Sequence, residues 1–154
     1  MSKRVYDDKI EAAPDVVVHK VFKAGAYMKP ALVSTHNHGN KKVLIVTIRG
    51  TVTTDDWMLN VNGEPETSEA FEETTRWHRG FLSMTLKMQK EIAKIVEKVA
   101  SQIDRPEQIL FTGHSAGGAI AQILYALSMR IDSAMARAIQ GNHAGFEDFQ
   151  AEPY

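Results

Sequence analysis

The sequence predicts a protein of the α/β class, in which a mostly parallel β-sheet is flanked by helices. Val43–Ile48 and Gln108–Thr112 are short, largely apolar runs of the kind found in strands buried on both faces. A helical pattern from Gly80 to about Gln102 separates them, and a second helical pattern begins at Ala116. Strand, helix, strand and helix in this order predict a parallel βαβ unit.

The segment before this unit predicts two further strands. Asp15 to Phe22 contains three consecutive valines, and Ala31 to Thr35 is the second candidate. The run from His36 to Asn40 is rich in residues that tolerate a left-handed backbone and predicts a turn.

Each predicted helix carries an apolar stripe. The first stripe consists of Ile92, Ile95, Val96, Val99 and Ile103. Asp104-Arg105-Pro106 is expected to stop this helix. The second stripe consists of Ala116, Ala119, Ile120, Ile123, Leu124 and Leu127.

The sequence pattern that predicts helices and strands becomes weaker after Arg130. Asp132 is a candidate cap for a short helix over Ser133 to Ile139. His143 to Tyr154 has no strand pattern and predicts a polar tail. Between the first βαβ strand and its helix, the polar segment from Thr53 to Thr75 contains Pro65, which excludes a central strand there.

Composition and charge exclude several classes of function. The 154 residues fit one domain, residues 1–154, and the net charge of −1 gives no electrostatic signature for nucleic acid or an anionic membrane. The absence of cysteine excludes disulfides, thiolate zinc sites and a cysteine nucleophile. No apolar run is long enough for a transmembrane helix, and the amino terminus lacks the apolar core of a signal peptide. We expect a cytoplasmic protein, secreted only if a signal has been removed, that needs no cofactor or metal.

Gly113-His114-Ser115-Ala116-Gly117 matches the nucleophile elbow of α/β-hydrolases. In this motif a serine lies at the apex of a sharp turn between a buried strand and a helix. Gly113 and Gly117 allow strand and helix to approach closely, and the helix amino terminus favours developing negative charge at Ser115. The alternative is a glycine-rich turn in which Ser115 only caps the helix.

A second motif, Arg49-Gly50-Thr51, ends the first buried strand. Acyl transfer needs two hydrogen-bond donors aimed at the oxyanion. The N–H of Ala116, which follows the nucleophile, is one candidate, and Thr51 is the other if both strands end at the same sheet edge. The alternative for Gly50-Thr51 is a simple strand-ending turn.

Four motifs in order resemble the class 3 (fungal-type) lipase family. They are Arg49-Gly50-Thr51, Asp56-Trp57, His78-x-Gly80-Phe81 and the elbow at Ser115, and the resemblance covers about Val43 to Arg130. It implies an α/β-hydrolase fold and activity on acylglycerols and related carboxylic esters. It also implies that Ser115 is the nucleophile and that Thr51 and Ala116 form the oxyanion hole.

The remaining candidates have structural interpretations. Trp57 is a packing residue that could also line the acyl site. His114 and His78 are expected to be structural. His36 and His38 lack the further ligands that a metal site requires.

The acid and base of a catalytic triad are not identifiable in the sequence. Asp132 and His143 follow Ser115 in the right order, but the intervening helix would carry Asp132 roughly 25 Å away. His143 and Asp148 would need the tail to run back without forming a strand. The predicted fold is therefore a partial α/β-hydrolase, truncated after the nucleophile helix.

Three interpretations remain open. The chain is a fragment of a full lipase, or another chain completes it, or it is a catalytically inactive binding or regulatory module. An incomplete sheet would leave apolar surface uncovered, so we also expect marginal stability or a homo-oligomer.

Overall fold

The computed structural model describes residues 13–23, 29–50, 65–68, 71, 75–130, 132–140 and 150–153, and within these residues five strands precede the first helix along the chain. The strands are β1 (Val16–Phe22), β2 (Ala31–His38), β3 (Lys41–Ile48), β4 (Pro65–Glu66), β5 (Trp77–His78), β6 (Gln108–Gly113) and β7 (Gln150–Pro153). The helices are α1 (Arg79–Ala100), α2 (Ala116–Ser128) and α3 (Ala134–Gln140).

The main sheet has five strands in the order β1-β2-β3-β6-β7. β3 pairs in parallel with β6, and β6 with β7, whereas β1–β2 and β2–β3 are antiparallel. The predicted α/β class and the parallel β3–α1–β6 unit are confirmed, but the described sheet is mixed. The cause is the tight Gly39-Asn40 turn between β2 and β3, which reverses the chain and forces antiparallel pairing.

The turn before β3 is shorter than predicted. β2 continues through His36, Asn37 and His38, which pair with Val43, Lys42 and Lys41 of β3. Only Gly39-Asn40 remains as the turn, and Gly39 takes the left-handed conformation with φ 63°. The prediction of a turn from His36 to Asn40 is therefore wrong for its first three residues.

Helices α1, α2 and α3 pack on one face of the sheet around a continuous apolar core. Ile92, Val96 and Val99 of the predicted α1 stripe are buried, and so is every residue of the α2 stripe except the half-buried Ala119. They meet a sheet face formed by Val33, Leu44, Val46, Ile109 and Phe111. Ile103 is fully exposed, because α1 ends at Ala100 and the chain has left the helix before this residue.

The cap of α3 differs from the prediction. Ser133, rather than Asp132, accepts a hydrogen bond from the Ala136 N–H through its Oγ, at 2.9 Å. The backbone carbonyl of Asp132 instead accepts a hydrogen bond from Arg137, and its carboxylate is ion-paired with Arg130 at 3.4 Å. Since the helix begins at Ala134, the cap position falls on the serine.

The carboxyl-terminal tail also differs from the prediction. Residues Gln150–Pro153 form β7, parallel to β6, with Gln150 opposite Gln108 and Pro153 opposite Phe111. The chain thus returns to the sheet after α2 and α3, and the prediction of a tail without a strand is wrong. β6 becomes an internal strand, flanked by β3 and β7.

Within the described part of the chain, no helix has the length and apolar character needed to span a bilayer.

His19 lies in the sheet at a place where its titration is expected to affect the stability of the fold. Its Nε2 lies 2.5 Å from Oγ1 of the buried Thr35, at an irregularity in the β1–β2 pairing between Val18 and Lys20. Burial lowers the pKa of His19 below its ordinary value, and the positive charges of Lys98 and Lys42 lower it further. The unfolded chain therefore binds the His19 proton more tightly than the folded chain does.

The free energy of unfolding is expected to fall as the pH drops below about 6.5, the ordinary pKa of histidine. This contribution is fully present above that pH and is lost as the pH falls towards the lowered pKa of the folded state. Urea unfolding of the wild type and of His19→Gln between pH 5 and 8 measures the effect, with His38→Gln as the exposed control. An unchanged pH slope in His19→Gln would contradict the assignment.

Candidate active site

The turn at Ser115 joins the internal strand β6 to helix α2. Ser115 has φ 55° and ψ −127°, and it is the one non-glycine residue with positive φ among those described. Such a conformation costs on the order of 1–3 kcal/mol and is characteristic of functional sites. Ser115 is exposed, although no residue of β6 is exposed and most residues of α2 are buried. The backbone is therefore that of a sharp strand–helix elbow with an accessible serine.

Two positions of this turn must be glycine, because neighbouring backbone atoms leave no room for a side chain there. A Cβ on Gly113 would lie 2.4 Å from the carbonyl carbon and oxygen of Gly117. A Cβ on Gly117 would lie 2.3 Å from the carbonyl oxygen of Ile48. All of these neighbours are backbone atoms that cannot rotate away, so any side chain would force strand and helix apart.

The Gly117 contact also places the end of β3 against the amino terminus of α2. Ile48 of β3 is in register with Gly113 of β6, and both strands run towards the same edge of the sheet. The Arg49 carbonyl carbon is 2.9 Å from the position of a Cβ on Gly117. The described chain continues to Gly50, which is buried. Thr51, the next residue, lies outside the described residues, so its predicted contact with the site remains a prediction.

The first turn of α2 offers backbone donors beside Ser115. Ala116 is 6% exposed and is the first residue of the helix. Helix geometry leaves the N–H groups of the first turn without intrahelical acceptors, and the helix dipole adds partial positive charge there. Gly117 and Gly118 donate to the carbonyls of His114 and Ser115, at 3.0 and 2.9 Å. The Ala116 N–H is therefore the donor of this turn that is best placed for an oxyanion.

The predicted histidines lie in different environments. His114 is exposed next to Ser115. His78 immediately precedes α1, and its ring packs on Phe81 with a centroid distance of 4.7 Å. The buried Nδ1 of His78 and Nε1 of Trp77 have no hydrogen-bond partner within the described part of the chain. The ring contact supports a packing role for His78.

Asp132, the candidate acid, lies beyond the opposite end of α2 from Ser115. The helix has 13 residues, which corresponds to about 20 Å. Asp132 is also engaged with Arg130 and Arg137, so its surroundings are those of a surface ion pair. His143, Asp148 and Trp57 lie outside the described residues.

Among the residues that the structure describes, no group of three His, Cys, Asp or Glu side chains could hold a metal ion.

β7 is the feature of the site that sequence analysis missed. Its parallel register with β6 brings Pro153 beside Phe111, so the carboxyl ends of β3, β6 and β7 point to one edge of the sheet. The tail has no β-branched run or apolar alternation that would have indicated a strand. Ligand sites of open α/β sheets lie at this edge.

Solved structures with the same fold are fungal lipases. A triacylglycerol lipase from Penicillium expansum superposes with a TM-score of 0.71 at 22% identity, covering 82% of this chain and 50% of that one. A triacylglyceride lipase from Rhizomucor miehei gives a TM-score of 0.64 at 20% identity, covering 89% and 47%. These likenesses establish the α/β-hydrolase fold that the sequence predicts.

The family follows from the sequence comparison. The model of the family described as Lipase (class 3) matches residues 45–139, and the chain belongs to that family. A Saccharomyces cerevisiae relative named "Putative lipase LIH1" is 32% identical in an alignment 104 residues long, and the match covers 56% of this chain and 31% of that protein. The chain thus spans about a third of this relative and about half of the two fungal structures.

Proposed function

We propose that this chain provides the nucleophile half of a carboxylic-ester hydrolase of the lipase type, acting on acylglycerols or related lipid esters. The observation that carries the proposal is the elbow at Ser115, whose positive φ presents an exposed hydroxyl at a helix amino terminus. Membership of the class 3 lipase family and the triacylglycerol lipase named above support the substrate class.

The proposed chemistry is acyl transfer through Ser115. Its Oγ attacks the ester carbonyl carbon, forming a C–O bond, while the hydroxyl proton passes to a general base. The resulting oxyanion accepts hydrogen bonds from the N–H groups of Ala116 and Thr51. Collapse of the tetrahedral intermediate expels the alcohol, and water then releases the acid. Contact of Gly117 with Ile48 and Arg49 supports the place of Thr51, since the chain reaches α2 just before that residue.

A second function, a lipase-like module without turnover, is favoured by one observation. The described acid candidate, Asp132, lies at the far end of α2, and none of the described histidines follows Ser115 in the chain, as the base of an α/β-hydrolase triad does. Without a base the rate falls by several orders of magnitude, although an oxyanion hole retains some activity. This alternative predicts lipid or partner binding without Ser115-dependent hydrolysis.

Labelling with a fluorophosphonate probe separates these functions. In the reaction Ser115 Oγ displaces fluoride from phosphorus, and mass spectrometry locates the adduct. We expect a Ser115 adduct in the wild type, none in Ser115→Ala, and full labelling in Ser101→Ala, an exposed serine at the end of α1. Labelling that persists in Ser115→Ala would refute the nucleophile assignment. Labelling as fast as in an active serine hydrolase would mean that a base is present, and would exclude the inactive module.

A further inference from the structure

Two grooves run along one flank of helix α1, away from the elbow. The upper groove, of about 660 Å³, lies between Glu66–Ser68 and a surface of α1 that includes Leu82, Leu86, Gln89 and Lys90. The lower groove, of about 460 Å³, lies between α1 and α3. Both volumes are in the range of small-molecule sites.

The two grooves adjoin, because Lys90 lines both of them. Leu82, Leu86, Lys90 and Lys94 are spaced four residues apart, so they form a single stripe along the helix surface. The first two residues line the upper groove and the last lines the lower. A ligand lying along this stripe would therefore occupy both grooves.

The upper groove is the more apolar end of this composite site, although Lys87 and Lys90 also line it. Leu82 is 2% exposed, and the half-buried Leu86 extends the apolar surface next to it. Glu66, the acidic residue of the upper groove, is ion-paired with Arg79 at 3.4 Å. The lower groove is lined by the cationic side chains of Lys90, Lys94 and Arg137 and by the carboxylate of Glu97, and Lys94 is also ion-paired at 2.7 Å with Glu91. The polarity matches a ligand with an apolar chain and an anionic head.

Gln89 restricts the head group further. It lines the upper groove next to Lys90 and is 8% exposed, yet its buried Oε1 has no hydrogen-bond partner among the residues that the structure describes. A buried amide oxygen without a hydrogen-bond donor destabilises the folded protein. A ligand that binds here is therefore favoured if it carries a hydroxyl group close to its anionic group.

We propose that the composite groove binds a single-chain anionic phospholipid with a free hydroxyl, of the lysophosphatidate class. The acyl chain lies on Leu82 and Leu86, the phosphate faces the Lys90, Lys94 and Arg137 cations, and the hydroxyl donates to Gln89 Oε1. A fatty-acid carboxylate has no donor at neutral pH and satisfies only two of these three features. The site shares no lining residue with the elbow, so it is a second lipid site independent of turnover at Ser115.

Calorimetric titration with monomeric oleoyl-lysophosphatidate tests the proposal, using the full chain carrying Ser115→Ala so that nothing is hydrolysed. We expect saturable binding that weakens about fivefold in Gln89→Met, from loss of one hydrogen bond. Lys90→Gln is expected to weaken it about tenfold, from loss of a charge-assisted contact to phosphate. The matched controls Gln122→Met and Lys98→Gln change exposed residues outside both grooves and should bind like the parent.

Comparison ligands separate the sources of binding. Oleate lacks the hydroxyl and phosphate, glycerol phosphate lacks the chain, and inorganic phosphate tests the cations alone; each should bind at least tenfold more weakly. Oleate binding as tightly as the lysolipid, or an unaffected Gln89→Met variant, would overturn the proposed head-group recognition. Binding to phosphatidylglycerol vesicles without binding to the monomer would overturn it in favour of a membrane surface. Because no outcome depends on labelling of Ser115, failure of the ester-hydrolase proposal would be recognised separately.

Discussion

Replacing Gly117 with alanine is expected to lower the free energy of unfolding by about 3 kcal/mol, the upper part of the range for overpacking. The new Cβ would lie 2.3 Å from the Ile48 carbonyl oxygen, so strand β3 and helix α2 must separate. That separation also displaces the chain leading to Thr51. We expect fluorophosphonate labelling of Ser115 to slow on the order of a hundredfold in the molecules that remain folded.

Gly118→Ala is the matched control for this variant. Its Cβ would lie 3.2 Å from the Gly113 carbonyl oxygen, a tight contact that a small shift can relieve. Alanine also gains about 1 kcal/mol over glycine inside a helix, which offsets much of the strain. Gly118→Ala should therefore have nearly the wild-type free energy of unfolding and rate of Ser115 labelling. Both quantities should be far lower in Gly117→Ala. Equal stability of the two variants would show that the β3–α2 contact is not tight.

Truncation of Phe111 to alanine is expected to cost about 3–5 kcal/mol, the usual cost of removing a buried aromatic side chain. Phe111 is 0% exposed in the internal strand β6, where it pairs in register with Val46. Since domains of this kind are stable by only about 5–15 kcal/mol, the variant should be close to unfolding at room temperature.

Urea unfolding measures this effect. The milder substitution Phe111→Leu should lower the free energy of unfolding less, so that this variant still folds. Phe22→Ala, a half-buried phenylalanine on the edge strand β1, is the control and should cost clearly less. A cost at position 111 no larger than at position 22 would place the centre of the core elsewhere.

The sequence was sufficient for those elements in which local pattern and burial agree. β3 and β6 are apolar runs, and the structure places both inside the sheet. Helix α2 carries a regular apolar stripe, and its buried residues follow that stripe. The elbow was predictable because Gly113 and Gly117 are close in sequence and meet across the turn between β6 and α2. The contact of Gly117 with Ile48 of β3 joins distant segments and could not be predicted from the local pattern.

Prediction failed where pairing between distant segments determines the structure. Nothing in Gln150–Pro153 favours a strand by itself, and β7 exists because β6 presents an edge to it. The same reasoning applies to His36–His38, whose extension of β2 follows from the paired edge of β3. The grooves along α1 could not be predicted from the sequence either. Lysines four residues apart are typical of an ordinary solvated helix face, and the groove arises only because α3 packs beside them.

The mixed pairing of β3 has a consequence for how the molecule acquires its structure. One edge of β3 meets β2 across a tight turn, whereas its other edge meets β6 only after the chain has traversed α1. Closing a long loop costs more entropy than closing a hairpin, so the β1–β2–β3 meander should form early and the β3–β6 contact late. The elbow needs both strands, so Ser115 should acquire its reactive geometry only in the last cooperative step. Reactivity at this serine would then report completed folding, and partly folded chains would carry an unprotected β3 edge that is prone to aggregation.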